Sequence, residues 1–500
     1  MFERIKNFFK KGAYRVTEQR LTKITDHPKI AVTEHEYSRI QENLKYFESE
    51  FANVIYKNSD GDSCKRSFNH LPIAKTVSKK IASLVYNEKA EITVTNEVAN
   101  EFIQKTLFDD RFNKNFERYL ESALALGGMA MRPYVDDDHV RVSFIQAPVF
   151  YPLQSNTQDV SSAAIVTKTT KTEGKKNIIY TLIEFHEWND GKYVITNELY
   201  RTDRENDVGY RVPLEELYED LEETVTVPGL SRPLFTYLKT PGMNNRDINS
   251  PLGLSIFDNA KTSIDFINKT YDEFAWEIKM GQRRVAVPEQ TVRTIYDERG
   301  DKITLRKHFD PDQNVFMQIG SGDIDGSLGI VDLTTPIRSD DYIKAINKGL
   351  SLFEMQIGVS PGMFSFDGKS MKTATEVVSE NSDTYQMRNS IVSLVEQSIK
   401  ELIVSICELA SAYDLYSGKI PDLTEITVDL DDGVFTDRNN ELEYWTKAVA
   451  SGLVSKSFAI QKILDFDEAK SQEMINEING ETRSTSSSMR NEQEIDIYGE

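Results

Sequence analysis

Phe257, Ala260, Ile264, Ile267, Tyr271, Phe274 and Ile278 recur at alternating gaps of three and four, with charged residues between them. Over roughly three heptads such spacing specifies a helix with one narrow apolar seam, the kind that packs side by side with other helices in a bundle or ring wall. A strand-rich insert follows over 281–336, with the hairpin-like runs RRVAVP, TIYDERGDKITL and NVFMQIG. A returning helix is predicted over 340–357, with Ile343, Ile346, Leu350 and Phe353 on one face. Then come a Gly/Pro/Lys loop (358–372) and a very long helix from 373 to about 413, opened by Thr373 and Glu376 at capping-box spacing. About 40 helical residues would reach roughly 60 Å. Helix out, small module, helix back is the plan of a stalk with a tip.

The 500 residues exceed one ordinary core and predict two to four domains. Two cysteines far apart, Cys64 and Cys407, give neither a disulfide framework nor a metal pattern, which fits a reducing, cytoplasmic setting. No apolar run reaches the roughly 18 residues of a membrane span, and the N-terminus lacks the apolar core of a signal peptide. A soluble chain is expected. Its net charge of -21 repels phosphates and argues against gripping nucleic acid by broad counterion release. The converse also holds: a surface along which DNA slides without sticking should be neutral or acidic, with sparse positive charge.

Residues 1–12, MFERIKNFFKKG, read as a short basic amphipathic helix with Ile5, Phe8 and Phe9 on its apolar side, whose length suits docking on a partner subunit better than the alternative, a membrane-surface anchor. Thr33 and Glu36 stand at capping-box spacing before EHEYSRIQENLKYF. A turn over 58–62 precedes a helix with the stripe Ile73, Val77, Ile81 and Leu84, and a helix over about 110–125 ends at Gly127 and Gly128. From 129 to 240 the period becomes two: VRVSFIQA, SAAIVTKTT, NIIYTLIEFHEW and KYVITNELYRT read as one antiparallel meander. The first half is therefore an α+β domain, and the bend TPGMNNRDINSPLG (240–253) separates it from the heptad helix. After the long helix, ITVDLDDGVF predicts a strand and 437–480 two or three short helices; the polar end of the chain lacks a core pattern and predicts disorder.

No motif carries catalysis. GMFSFDGKS (362–370) resembles a phosphate-binding loop, but five residues rather than four separate Gly362 from Gly368, and a helix precedes it where a strand is needed. Gly320, Gly322 and Gly326 miss the dinucleotide spacing; SGDIDGSLGIVD and NSDGDS lack the twelfth-position Glu of a calcium loop. His27, His35, His70, His139, His186 and His308 are scattered, without zinc-type grouping. The acidic clusters at 136–138 and 429–432 read as solvated turns, although two such clusters could hold two metals in a nuclease. No cofactor, metal or catalytic residue is predicted.

In this order of elements the chain resembles the portal proteins of tailed bacteriophages, in the form found in siphophages of Gram-positive hosts. The stretches that carry the resemblance are MFERIKNFFKKGAYRV, TDHPKIAVTEHEYSRIQENLKYFESEF, SPLGLSIFDNAKTSIDFINKTYDEFAWEI, IGVSPGMFSFDGKSMKTATEVVSENSDTYQMRNSI and SGLVSKSFAIQKILDFDEAK. The resemblance implies a portal fold: an α+β wing (1–252), a stem helix (253–280), a clip (281–336), a returning stem helix (337–357), a tunnel loop (358–372), a long wing helix and strand (373–435), a crown (436–484) and a disordered tail (485–500). It implies a homo-oligomeric ring, usually of twelve subunits, assembled in the host cytoplasm and seated at one capsid vertex of the virion. Double-stranded DNA passes through it. Implied partners are the terminase, a head-completion or adaptor protein, and the major capsid and scaffolding proteins; no membrane is involved. Ser365, Lys369, Ser370 and Lys372 would belong to the tunnel loop, and the seven seam residues would pack the stem. Arg283, Arg284, Arg293, Arg299, Lys302, Arg306 and Lys307 make the clip locally basic, facing either DNA or an acidic partner. The alternatives are a phage packaging nuclease and a capsid or scaffolding protein.

Overall fold

Long antiparallel strands and the helices that pack on β5, β6 and β13 make up most of the computed structural model. It describes residues 20–57, 61–87, 90–156, 159–281, 285–288, 294–298, 303–307, 316–319, 331–332, 335–364, 382–430, 438–464, 470–472 and 474–478. Strand β1 (Arg20–Leu21) and helix α1 (Glu34–Glu48) are followed by the hairpin β2 (Val54–Lys57) and β3 (Ser63–Arg66). Helix α2 (Ile73–Val85), strand β4 (Glu91–Val94), and helices α3 (Glu97–Asp109) and α4 (Phe112–Leu126) come next. Strands β5 (Gly128–Asp136), β6 (His139–Gln146), β7 (Phe150–Ser155), β8 (Val160–Glu173), β9 (Lys176–Asn189) and β10 (Lys192–Thr202) then run almost without interruption. The short strands β11 (Gly209–Val212), β12 (Thr224–Val227) and β13 (Thr236–Lys239) complete the β-rich half.

Strands β1 and β5 to β13 build two sheets, not one meander. The larger has the order β1-β11-β10-β9-β8-β7, with β12 also on β10; the smaller is β13-β5-β6. VRVSFIQA thus leaves the meander, because β5 and β6 form their own hairpin from Met129↔Gln146 to Asp136↔His139 and β13 pairs on the far side of β5. Period-two alternation reveals a strand but says nothing of which sheet it joins. Helix α4 ends as its sequence predicts: Gly127 adopts φ 99° at the C-cap. A Cβ on Gly127 would strike the carbonyl of Gly253, so this end of the helix and the bend at 253 touch backbone to backbone.

The chain then enters α5 (Lys261–Met280), the strands β14 (Val285–Pro288), β15 (Thr294–Glu298), β16 (Ile303–Lys307), β17 (Phe316–Ile319) and β18 (Val331–Asp332), and the returning helix α6 (Ser339–Ile357). β15 and β16 are the expected hairpin, whereas β14 pairs parallel with β17 and antiparallel with β18. Helix α7 (Ser382–Ala412) is described over 31 residues, about 46 Å, and packs against β5 and β13. Residues 373–381, including the Thr373/Glu376 capping pair, lie outside the described residues. Strand β19 (Ile426–Asp429) pairs with β4, joining positions more than 300 residues apart in sequence.

Four local expectations change. Helix α1 starts after Thr33, but that side chain makes no cap bond; Glu36 is drawn instead into a buried network. On α2, Val85 rather than Leu84 completes the buried stripe. Helix α3 and the β2–β3 hairpin are additional to the sequence reading: α3 exposes Val98 and Phe108, which blurs its periodicity. Phe257 and Ala260 precede α5, Phe257 as the N-cap and Ala260 as the last residue of the 3-10 turn Asp258–Ala260.

The described residues from 438 to 478 belong to a separate unit. Within it, α8 (Arg438–Ala450) and α9 (Lys456–Leu464) meet through Trp445 and Phe458, whose rings lie 5.8 Å apart and nearly perpendicular.

Candidate functional site

The α5–α6 pair carries the chain from the body to the β-strands between them. Phe257, Ala260, Ile264 and Ile267 are buried, and Ile346, Leu350 and Phe353 of α6 are buried with them. The helices approach closely at Gly349, where an added Cβ would lie 2.8 Å from Ile267 Cγ1 and 3.1 Å from Phe266 Cδ1. Toward the strands the seam opens. Tyr271 and Phe274 are half-buried, Phe274 stacks on Tyr342 at 5.2 Å, and Ile278 is 46% exposed.

Polar contacts replace apolar ones as the pair leaves the body. Arg338, at the N-terminal cap of α6, forks onto Glu277 at 3.1 and 2.9 Å. The paired guanidinium holds the Glu277 carboxyl below its usual range. At the other end Ser263 donates to Gln356 at 2.7 Å. The flank of α5 is gripped by the β2–β3 hairpin: Arg66 forks onto Asp272 with both bonds at 2.7 Å, and Asn69 adds its backbone amide at 3.0 Å. Arg66 is the chief reason that the Asp272 carboxyl titrates below the ordinary carboxylate range. Arg66 also lies over the Trp276 ring, 5.2 Å from its centroid. The face of the pair left to solvent mixes Lys269, Glu273, Asp341, Lys344 and Lys348 with Phe266, Leu352 and Met355.

Beyond α6 the chain turns through Gly358 at φ 77°. The buried Glu354 carboxylate accepts the amides of Gly362 at 2.9 Å and Phe364 at 2.5 Å, satisfying donors that a loop over the helix end would otherwise leave bare. Ser360 and Thr384 then bond reciprocally: the Ser360 amide reaches Thr384 Oγ1 at 2.9 Å, and the Thr384 amide reaches Ser360 Oγ at 3.3 Å. The segment between them therefore leaves and re-enters at one point. Ser365, Lys369, Ser370 and Lys372 lie in it, outside the described residues, as do Arg283, Arg284, Arg293, Arg299 and Lys302. Arg306 and Lys307 fall on β16, where the backbone alone is described.

Sequence reasoning singled out the seam but passed over Gly349, Arg338, Glu277, Arg66, Asp272, Glu354, Ser360 and Thr384. Folding the two helices antiparallel on paper would have placed Arg338 opposite Glu277. The others depend on contacts between distant segments and leave no local signal.

Several chemistry-bearing residues elsewhere are engaged with neighbours. Asp136 pairs with Arg141 at 2.7 Å in the exposed β5–β6 turn. His27 meets Glu198 at 3.2 Å, and His186, fully buried beside Tyr193, has its basicity lowered by burial. Among the described residues no group of three or more His, Cys, Asp or Glu is placed to hold a metal ion. No described helix is long and apolar enough to cross a membrane.

Comparison with known proteins agrees with the architecture. No curated protein matches the chain. Residues 26–487, however, match the family described as phage portal protein, SPP1 Gp6-like. That match runs from ahead of α1 to past α9 and includes the α5–α6 pair, the strands between its helices and the loop after it, and so the chain belongs to the phage portal protein family.

Proposed function

We propose that copies of this chain close into a ring, of twelve subunits, at one vertex of a phage capsid, and that double-stranded DNA enters and leaves the head through its centre. The observation that carries this reading is the family match over residues 26–487, in which helix, strands, helix, loop and long helix follow one another in the order such a conduit needs. The ring is a head-to-tail interface repeated until it shuts. The chain supplies no covalent chemistry; a separate packaging ATPase does the work. The strands between α5 and α6, with Arg283, Arg284, Arg293, Arg299, Lys302, Arg306 and Lys307, form the platform on which terminase docks during packaging and head-completion proteins dock afterwards. Lys369 and Lys372, with Ser365 and Ser370, touch passing phosphates within a channel kept from adhering by the overall charge of -21. Capsid and scaffolding proteins surround the body.

Native mass spectrometry and class averages of the purified chain test the ring: a single closed oligomer with an axial hole is expected, and a monomer under every assembly condition overturns it. Lys369→Glu with Lys372→Glu tests the loop. Rings should still form while DNA packaging or retention falls; unchanged phage yield removes the loop's proposed role.

A further inference from the structure

The passage from the body into the helix pair runs through residues 240–260 and is held largely by buried polar groups. Arg39, on α1, is their hub. Its guanidinium donates to Glu36 at 3.2 and 2.9 Å, to Asp258 at 2.7 Å and to the Gly253 carbonyl at 3.1 Å. The arginine side chain is 5% exposed, Glu36 0% and Asp258 1%. Glu36 also accepts from Asn244 and Ser250, each at 2.8 Å, while Asp258 accepts from Asn43 at 3.0 Å and pairs with Lys261 at 3.2 Å. Asn244 closes the bend on itself, its Oδ1 taking the amides of Arg246 and Asp247 and its Nδ2 donating to the Leu252 carbonyl. One side chain thus ties together a helix of the body, the backbone of the bend and the base of α5.

Stability alone does not explain such a knot, because buried ion pairs contribute little that well-packed apolar side chains would not match. A guanidinium does supply direction: its donors form a rigid planar fork, so partners bound to several of them cannot rotate independently. An open surface groove lined by Arg39, Tyr46, Asp258 and Lys261 runs beside the fork, so on that side the base of the helix has no packed apolar layer to hold it.

We infer that Arg39 is a positioning residue that sets the angle at which the α5–α6 pair leaves the body, and with it the curvature at which neighbouring copies close. The second half of this inference rests on the ring proposed above. The test uses the full chain with Arg39→Lys, which keeps the charge and loses the fork, and with the triple variant E36Q/R39M/D258N, which removes these three charges and serves if Arg39→Lys fails to fold. Hydrogen exchange should speed at least tenfold over 244–258 and the first turn of α5, with β8–β10 unchanged. Native mass spectrometry should show several subunit numbers in place of one. Unchanged exchange over 244–258 in the variant that folds overturns the positioning role. Faster exchange with a single, wild-type subunit number overturns the link to curvature. A wild-type chain that forms no ring refutes the ring and the curvature link, while the exchange measurement still judges the joint.

Discussion

The two halves of the α5 seam obey one sequence pattern and meet different fates. Phe257, Ala260, Ile264 and Ile267 are no more than 1% exposed, whereas Ile278 at the far end is 46% exposed. Near the body the seam is covered on two sides, by α6 and by the core beneath; near the strands, among the described residues, the apolar cover thins to α6 and the edge of the β2–β3 hairpin, and Arg338–Glu277 and Arg66–Asp272 add polar contacts that hold position. A heptad stripe therefore specifies that a helix will pack, but how deeply is decided by whether other elements reach the same level.

Truncating the buried end should give the largest loss. Phe353→Ala is expected to cost about 3–5 kcal/mol, and Ile278→Ala within about 0.5 kcal/mol, by denaturant unfolding. Equal losses would erase the distinction between the two ends. Gly349→Ala comes next. Helix propensity alone would favour alanine by about 1 kcal/mol, yet the new methyl must displace the buried Ile267, so a net loss of about 1–2 kcal/mol is expected; a gain would mean that the helices can part freely.

Acid should act on the hairpin grip before it acts on the seam. Asp272 titrates below its unfolded value of about 3.9, so its contribution is present above that pH and is lost as pH falls through its folded pKa. In a chain keeping Trp276 alone, with Trp188→Phe and Trp445→Phe, emission should shift to the red on acidification as Arg66 and the hairpin withdraw. Asp272→Asn should already show the shifted spectrum at neutral pH. A spectrum indifferent to both would remove the hairpin from the comparison. Glu277→Gln should have the smallest effect: its pair with Arg338 lies open to solvent and is screened at physiological salt, so no change in thermal midpoint is expected there and a small one only at low ionic strength.

Where the structure agrees with the sequence, the agreement follows from short-range physics. The strand runs, the glycine end of α4 and the helix–strands–helix order depend on neighbours a few residues away, and those neighbours are visible in the chain itself. The polar contacts were hidden for the opposite reason. Glu36 stands where a capping carboxylate should, but two donors from the bend, more than 200 residues on, compete for it and win. The assignment of β6 to a second sheet likewise depends on β13, about 100 residues later, and Gly349 owes its importance to a helix 80 residues earlier. At the candidate site the seam was legible, whereas the clamps at its base, flank and tip were not.

The reciprocal bonds between Ser360 and Thr384 have an evolutionary corollary. A segment whose two ends are buttoned to each other can gain or lose residues without asking its scaffold to move, and each doubling of length adds only about 0.6 kcal/mol of closure entropy. Residues can thus be inserted or deleted between those two positions while the frame that carries them stays the same.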